Sequence, residues 1–233
     1  MENKISISDL SIEITRRCNM ICEHCLRGNA QKINIKEEYI ENVLKQCDMI
    51  SNVTFSGGEP SLYVKAIEQF ISLVNKYKIQ IGSFYIATNG KKIKEDFVVA
   101  ICKLYAMCDE PEMCAIEISK DVFHKENEDT NPILLNALSF VRYRNEDDDY
   151  YDDWRNEGLY NYNFGVGIDN EKEEFIIEDN YISEGNLYLN AKGQIIAGGN
   201  WSYKSQRKHM ICNSNDNILE NIQKYIGNEN DSE

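Results

Sequence analysis

Apolar residues along positions 11–143 recur in two alternating rhythms. Short β-branched runs are followed by stretches whose apolar positions repeat at helical spacing, and this alternation marks βαβ units wound around a parallel sheet. Strands are predicted at 11–15 (SIEIT), 52–55 (NVTF), 83–87 (SFYIA) and 114–119 (CAIEIS). Between them run helical stripes through Ile40, Val43, Leu44 and Cys47, through Tyr63, Ile67, Phe70, Ile71 and Val74, and through Phe97, Val98, Ile101, Cys102 and Tyr105. Cys47 therefore reads as a core residue. After about residue 145 the rhythm changes, and a Tyr- and Asp-rich stretch precedes FGVGI (164–168), EEFIIED (173–179) and a hairpin pattern at 186–199. The hairpin turn, Asn190-Ala191-Lys192-Gly193, supplies a glycine for a left-handed conformation. A short helix at 217–227 closes the pattern.

Composition narrows the class. The 233 residues are 42% hydrophobic and 10% aromatic, as in a globular protein with one substantial core. No apolar run reaches the ~20 residues needed to cross a bilayer, and the N-terminus has no secretory pattern, so a cytoplasmic protein is expected. In a reducing compartment the eight cysteines serve metal binding or burial rather than disulfides. A formal charge of −14 disfavours nucleic acid, whose binding depends on Lys and Arg at phosphates, and favours a small molecule or a peptide. The acidic run at 146–154 (EDDDYYDDW) reads first as a solvated face and second as an attractor of basic peptides.

Every unusual polar cluster falls at the carboxyl end of a predicted strand, where parallel α/β folds bind ligands. The first, Cys18-Asn-Met-Ile-Cys22-Glu-His-Cys25, has the spacing C-x3-C-x2-C. Three thiolates on one loop suit three irons of a 4Fe–4S cube and leave the fourth iron open to a small molecule. A ferredoxin-type cluster or a structural zinc would need a fourth ligand, and His24, wedged between two cysteines, would crowd the loop in that role. The second cluster is Gly57-Gly58-Glu59-Pro60, with glycines that permit close backbone approach and a proline suited to a helix start. The third is Thr88-Asn89-Gly90, and the fourth is Ser119-Lys120-Asp121 with His124 beyond it.

These three leading motifs, in this order and at these strand ends, resemble the radical S-adenosylmethionine (radical SAM) enzymes over roughly residues 10–145. The resemblance implies an α/β fold, a partial (β/α)6 TIM-like barrel with parallel strands and a short C-terminal hairpin and helix extension. It divides the chain into a core at 1–165 and, at 166–233, the last part of the barrel with the extension. It also implies one 4Fe–4S cluster on Cys18, Cys22 and Cys25, with S-adenosyl-L-methionine on the open iron. His24 would pack on the adenine, Gly57, Gly58 and Glu59 would meet the methionine amino group, and Thr88 and Asn89 would line the pocket. Ser119 and Asp121 would reach the ribose or the carboxylate. The implied reaction is reductive cleavage of the sulfonium to a 5′-deoxyadenosyl radical that abstracts hydrogen from a substrate, with an electron donor such as flavodoxin or ferredoxin.

The match departs from the family in two places. The glycine motif of a fifth strand is not evident, FGVGI being the nearest stretch. The hairpin resembles the start of a cysteine-rich auxiliary (SPASM/twitch-like) domain without its cysteines, Gly198 and Gly199 standing where one would be, and this favours a peptide substrate. Trp201, Tyr203 and His209 read as the core of that extension before they read as a substrate entrance. Cys102, Cys108 and Cys114 read as buried thiols rather than a second cluster completed by Cys212. The competing readings are action on a nucleotide or small molecule, activation of a glycyl-radical enzyme, a non-enzymatic iron–sulfur carrier or sensor, and a structural zinc protein.

Overall fold

The computed structural model describes residues 4–22, 25–120, 133–145 and 173–230. The predicted βα units are present. The strands β1 (Ile5–Thr15), β2 (Cys47–Gly57), β3 (Gln80–Thr88) and β4 (Ala115–Lys120) lie side by side in parallel with β5 (Val141–Asn145). Between them lie α1 (Glu37–Leu44), α2 (Val64–Tyr77), α3 (Glu95–Tyr105) and a helical turn, α4 (Ile133–Asn136). Strand order that follows chain order is the arrangement of a barrel segment, and here the sheet stays open.

The C-terminal region joins the same sheet. Strand β7 (Tyr181–Leu189) pairs parallel with β1 on the side away from β2, with Asp9 opposite Asn186 and Ile12 opposite Leu189. A short β6 (Ile176–Glu178) pairs antiparallel with β7, and β8 (Gln194–Ala197) and β9 (Met210–Asn213) extend the sheet antiparallel before α5 (Ile218–Asn230). The predicted hairpin is β7–β8, and Gly193 in its turn has φ +80°, the conformation anticipated for it. The 165/166 boundary and FGVGI lie outside the described residues, as does the acidic run at 146–154. No helix of the described residues is long and apolar enough to cross a membrane.

Alternation along the strands separates two environments. In β1 the apolar set Leu10, Ile12 and Ile14 joins the main core with Val53, Phe55, Phe84, Ile86 and the helical residues Ile40, Ile67, Phe70, Phe97 and Ile101. The other set, Ser11, Glu13 and Thr15, is equally buried but polar. A strand covered on both faces normally reads as continuously apolar, so buried polar positions at its carboxyl end mark a site rather than a core.

Helical periodicity located α1 to α3, but three stripe assignments shift. Cys47 is buried, yet it opens β2 instead of ending α1. In α2 the buried set is Val64, Ala66, Ile67, Phe70, Leu73 and Val74, so Tyr63 and Ile71 sit at its margin. In α3 it is Phe97, Ala100, Ile101 and Leu104, which leaves Cys102 off the stripe and exposed. Apolar residues one position off a 3.6-residue period are ambiguous until the packing partner is known.

Candidate active site

The cysteine loop leaves β1 through a closed neck. Residues 31–35 return antiparallel along 14–16: the Arg16 N–H donates to Ile33 O (2.8 Å), Gln31 N–H to Arg16 O (2.8 Å) and Ile35 N–H to Ile14 O (3.0 Å). Thr15 Oγ1 donates to Asn34 Oδ1 (2.7 Å) and accepts from the Arg17 N–H (3.1 Å), fixing the exit direction. Within the loop the Cys25 N–H donates to Cys22 O (3.2 Å) and the Gly28 N–H to Cys25 O (3.0 Å), so the last two cysteines sit on consecutive turns.

The glycines of the second motif press against this neck. Gly58 N–H donates to Thr15 O and Glu59 N–H to Arg17 O, both at 2.9 Å. A Cβ built on Gly57, whose φ is +145°, would stand 2.1 Å from Thr15 O, and one on Gly58 would stand 2.4 Å from Arg17 O. Backbone occupies that space, so no other residue fits at either position. The turn is therefore built onto the residues directly before Cys18.

Glu59, nearly fully buried, ties three motifs together. Its Oε1 accepts from Thr88 Oγ1 (2.7 Å) and from the Ser61 N–H (3.1 Å), and its Oε2 accepts from the Asn89 N–H (2.8 Å). Asn89 Nδ2 donates to Asn19 Oδ1 (2.8 Å), Asn89 Oδ1 accepts from the Lys91 N–H (2.8 Å), and Asn19 Nδ2 donates to Lys91 O (3.1 Å). Asn19 follows Cys18 directly, so the carboxyl ends of β1, β2 and β3 form one hydrogen-bonded unit. Pro60 opens a single 3-10 turn, Pro60–Tyr63, ahead of α2, with Glu59 as its cap.

The three cysteines are half-buried and not disulfide-bonded. Burial pushes the Cys18 thiol up; a hydrogen bond with the Met20 backbone works against this, while the charges of Glu59 and Cys25 add to it. A site that disfavours free thiolates gains most from a cation able to compensate them. Among the described residues, no three His, Cys, Asp or Glu side chains gather around one metal ion. Three thiols carried by one constrained loop are the donor set that three irons of a cube would require.

Other predicted residues separate from this unit. Ser119, at the end of β4, accepts at Oγ from Arg144 Nη2 (3.0 Å) of β5. Beside it Glu117 accepts from the Tyr85 hydroxyl (2.6 Å) and lies 3.6 Å from Arg142 Nε. His24, Asp121 and His124 lie outside the described residues.

Sequence reasoning missed a buried network that links the loop to the C-terminal extension. Arg16 donates from Nε to Glu13 Oε1 and from Nη2 to Gln206 Oε1, both at 2.5 Å. Glu13 also accepts from the Tyr188 hydroxyl (3.0 Å), Gln206 Nε2 (2.8 Å) and the Ala191 N–H (3.0 Å). Arg27, two residues after Cys25, donates to Trp201 O (2.8 Å), and Tyr203 N–H donates to Arg27 O (3.1 Å). Arg16 lies over the Tyr203 ring and Arg27 over the Tyr188 ring. The only signal in the sequence was Glu13, a charged residue inside the predicted strand SIEIT. Trp201 is buried, stacked on His209 at 3.3 Å and packed beside Tyr188 and Ile196, which makes it extension core as expected. Tyr203 is part of the contact with the loop.

The remaining cysteines have other surroundings. Burial pushes Cys47 and Cys212 up to about 12, and it raises Cys108 and Cys114, which interact with each other across the turn before β4. Cys102 is exposed on α3, which corrects its assignment to an apolar face.

Comparison with known proteins agrees with this geometry. Residues 12–113, the span that holds the cysteine loop, the glycine turn and the Thr-Asn-Gly segment, match the family model described as the Radical SAM superfamily. No curated protein matches the chain. A structure of native anSMEcpe with bound AdoMet and Cp18Cys peptide has a TM-score of 0.50 at 13% identity, over 93% of this chain and 79% of that one. Streptococcus suis SuiB bound to precursor peptide SuiA gives 0.41 at 15% identity, over 83% of this chain and 60% of that one. SuiB bound to S-adenosylmethionine gives 0.39 at 15% identity, so the chain spans about 60% of the SuiB length. With its motifs joined at the carboxyl ends of an open, mostly parallel sheet, residues 12–113 form a radical SAM domain.

Proposed function

We propose that this chain cleaves S-adenosylmethionine reductively at a 4Fe–4S cluster held by Cys18, Cys22 and Cys25, and that the resulting 5′-deoxyadenosyl radical abstracts hydrogen from a peptide. When bound, the cluster supplies the electron that splits the C5′–S bond and an open iron for the amino and carboxylate groups of the cofactor.

The observation that carries this reading is the Glu59 unit. A buried carboxylate that receives Thr88 Oγ1, the Asn89 N–H and the Ser61 N–H fixes the wall opposite the cysteine loop, and Asn19 fixes the loop to that wall. Preorganised polar groups of this kind orient a charged ligand without rearranging when it arrives. At the far side, Arg144 beside Ser119 supplies a cation and a hydroxyl suited to a carboxylate. The closed neck of the loop and the extension packed through Arg27 limit water on the β1 side, as a radical reaction requires.

Two features favour a peptide. The β7–β8 hairpin and its following segment form an extension docked against the loop without cysteines at Gly198 and Gly199. The anSMEcpe structure, similar in fold, holds a peptide together with AdoMet.

The test is anaerobic reconstitution with iron and sulfide, followed by reduction in the presence of S-adenosylmethionine and a search for 5′-deoxyadenosine. About four irons per chain and 5′-deoxyadenosine above background are expected. A chain that forms no product, or that keeps its iron when the three cysteines are replaced by alanine, refutes the proposal.

A further inference from the structure

The reaction proposed above consumes one electron from outside the chain for each cleavage, so a reduced partner must approach the cysteine loop. We infer that the rim formed by Arg17 and Ile21 of that loop, with Lys91, Lys92 and Lys94 after β3, is the docking face for an acidic one-electron carrier protein. This inference rests on the proposed function, and its test separates the two.

Three observations carry it. Ile21, between Cys18 and Cys22, is 98% exposed, the most exposed large apolar side chain among the described residues. An apolar side chain left fully in solvent between two prospective cluster ligands has no packing role within the chain. Second, the charge around it opposes that of the molecule. Segments 16–36 and 88–94 carry eight of the 25 basic residues and one of the 39 acidic ones. Within them Arg17, Lys92 and Lys94 are exposed, and Lys91 is half-buried. Third, the two segments are one surface, because Asn19 Nδ2 donates to Lys91 O (3.1 Å) and Asn89 Nδ2 to Asn19 Oδ1 (2.8 Å).

A net charge of −14 would repel an acidic partner approaching at random. At physiological salt, however, charges are screened beyond about 8 Å, so the partner responds to the local patch. Glu95 and Asp96, exposed in the first turn of α3 directly after Lys94, bound the basic area on that side. An exposed apolar side chain on the same loop surface as exposed cations is the complement of an acidic carrier with an exposed redox group, and weak redox encounters need only a small interface, under about 1,200 Å². In the transfer itself the carrier is oxidised by one electron and the cluster is reduced by one, with no bond made or broken until the C5′–S bond accepts it.

The experiment uses reduced flavodoxin as probe and stopped-flow bleaching of the cluster as readout, in parallel with reduction by dithionite. For K92E/K94E the second-order rate with flavodoxin should fall at least tenfold at low salt, with a flatter salt dependence, while the dithionite rate stays unchanged. Ile21→Gln should lower the flavodoxin rate without altering its salt dependence. A flavodoxin rate unaffected by K92E/K94E, or an equal loss with dithionite, overturns the docking face. Oxidised flavodoxin should also bind the cluster-free chain and lose that binding in K92E/K94E; failure of cluster assembly would sink the proposed function, whereas equal binding by both chains would sink the docking face.

Discussion

Replacing Glu13 by Gln removes the one carboxylate paired, among the described residues, with Arg16, a guanidinium only 1% exposed. The carboxylate accepts four hydrogen bonds, from Arg16, Tyr188, Ala191 and Gln206. A carboxamide keeps the shape but turns an NH2 group toward the donors and leaves the arginine charge uncompensated in a dry site. Breaking a buried pair from one side costs about 3–5 kcal/mol. A chain of this size loses roughly 2–4 °C of Tm per kcal/mol, so the melting temperature should fall by around 10 °C. The network spans β1, the β7–β8 turn and residue 206, so the extension should also loosen and residues near 201–209 should become sensitive to protease. The assay is calorimetry with limited proteolysis on Glu13→Gln, Arg16→Met and the double variant. Removing both charges should recover more than half of the loss, because no buried charge is then unpaired. If Glu13→Gln melts within 2 °C of the parent, or if the double variant is additive, the argument from buried charge is wrong.

Glu59→Gln should leave the fold intact but weaken S-adenosylmethionine binding at least tenfold, read by calorimetric titration, because an amide cannot accept from Thr88, Ser61 and Asn89 together. Gly58→Ala should be among the worst single changes in the chain, since its methyl would collide with Arg17 O; iron content after reconstitution should drop severalfold, whereas Gly227→Ala, with nothing within 4 Å, should leave it unchanged. Cys212→Ala should retain full iron content and Cys22→Ala should lose it, measured by elemental analysis. Burial against Trp201, with a smaller push from Lys208, holds His209 below its ordinary value of 6.5, so its neutral form is the one the fold favours. Its contribution to stability should be complete above pH 6.5 and fade as pH falls below it, and the thermal melt of His209→Gln should lack that acid-side decline.

How much of this was legible in the sequence follows from the range of the forces involved. The βα rhythm, the hairpin turn with Gly193 and the three motifs at strand ends are local patterns, set by side-chain alternation, helical period and glycine backbone freedom, and each stands at its anticipated place. Helix faces were less secure, as Cys47 and Cys102 illustrate, because a residue one step off a stripe is assigned only by what packs against it. The candidate site was only half visible: spacing marked the cysteines and Glu59 as candidates, but not that Glu59 receives Thr88 and Asn89, nor that Asn19 bridges to them. The pairing of β7 with β1, and through it the contact of Glu13, Arg16 and Arg27 with Tyr188, Trp201 and Gln206, joins residues up to 193 positions apart. No periodicity encodes such a partner. Chain order and polarity determined which segments become strands and where chemistry collects, and only the pairing of strands on both sides of β1 decided which buried charges meet.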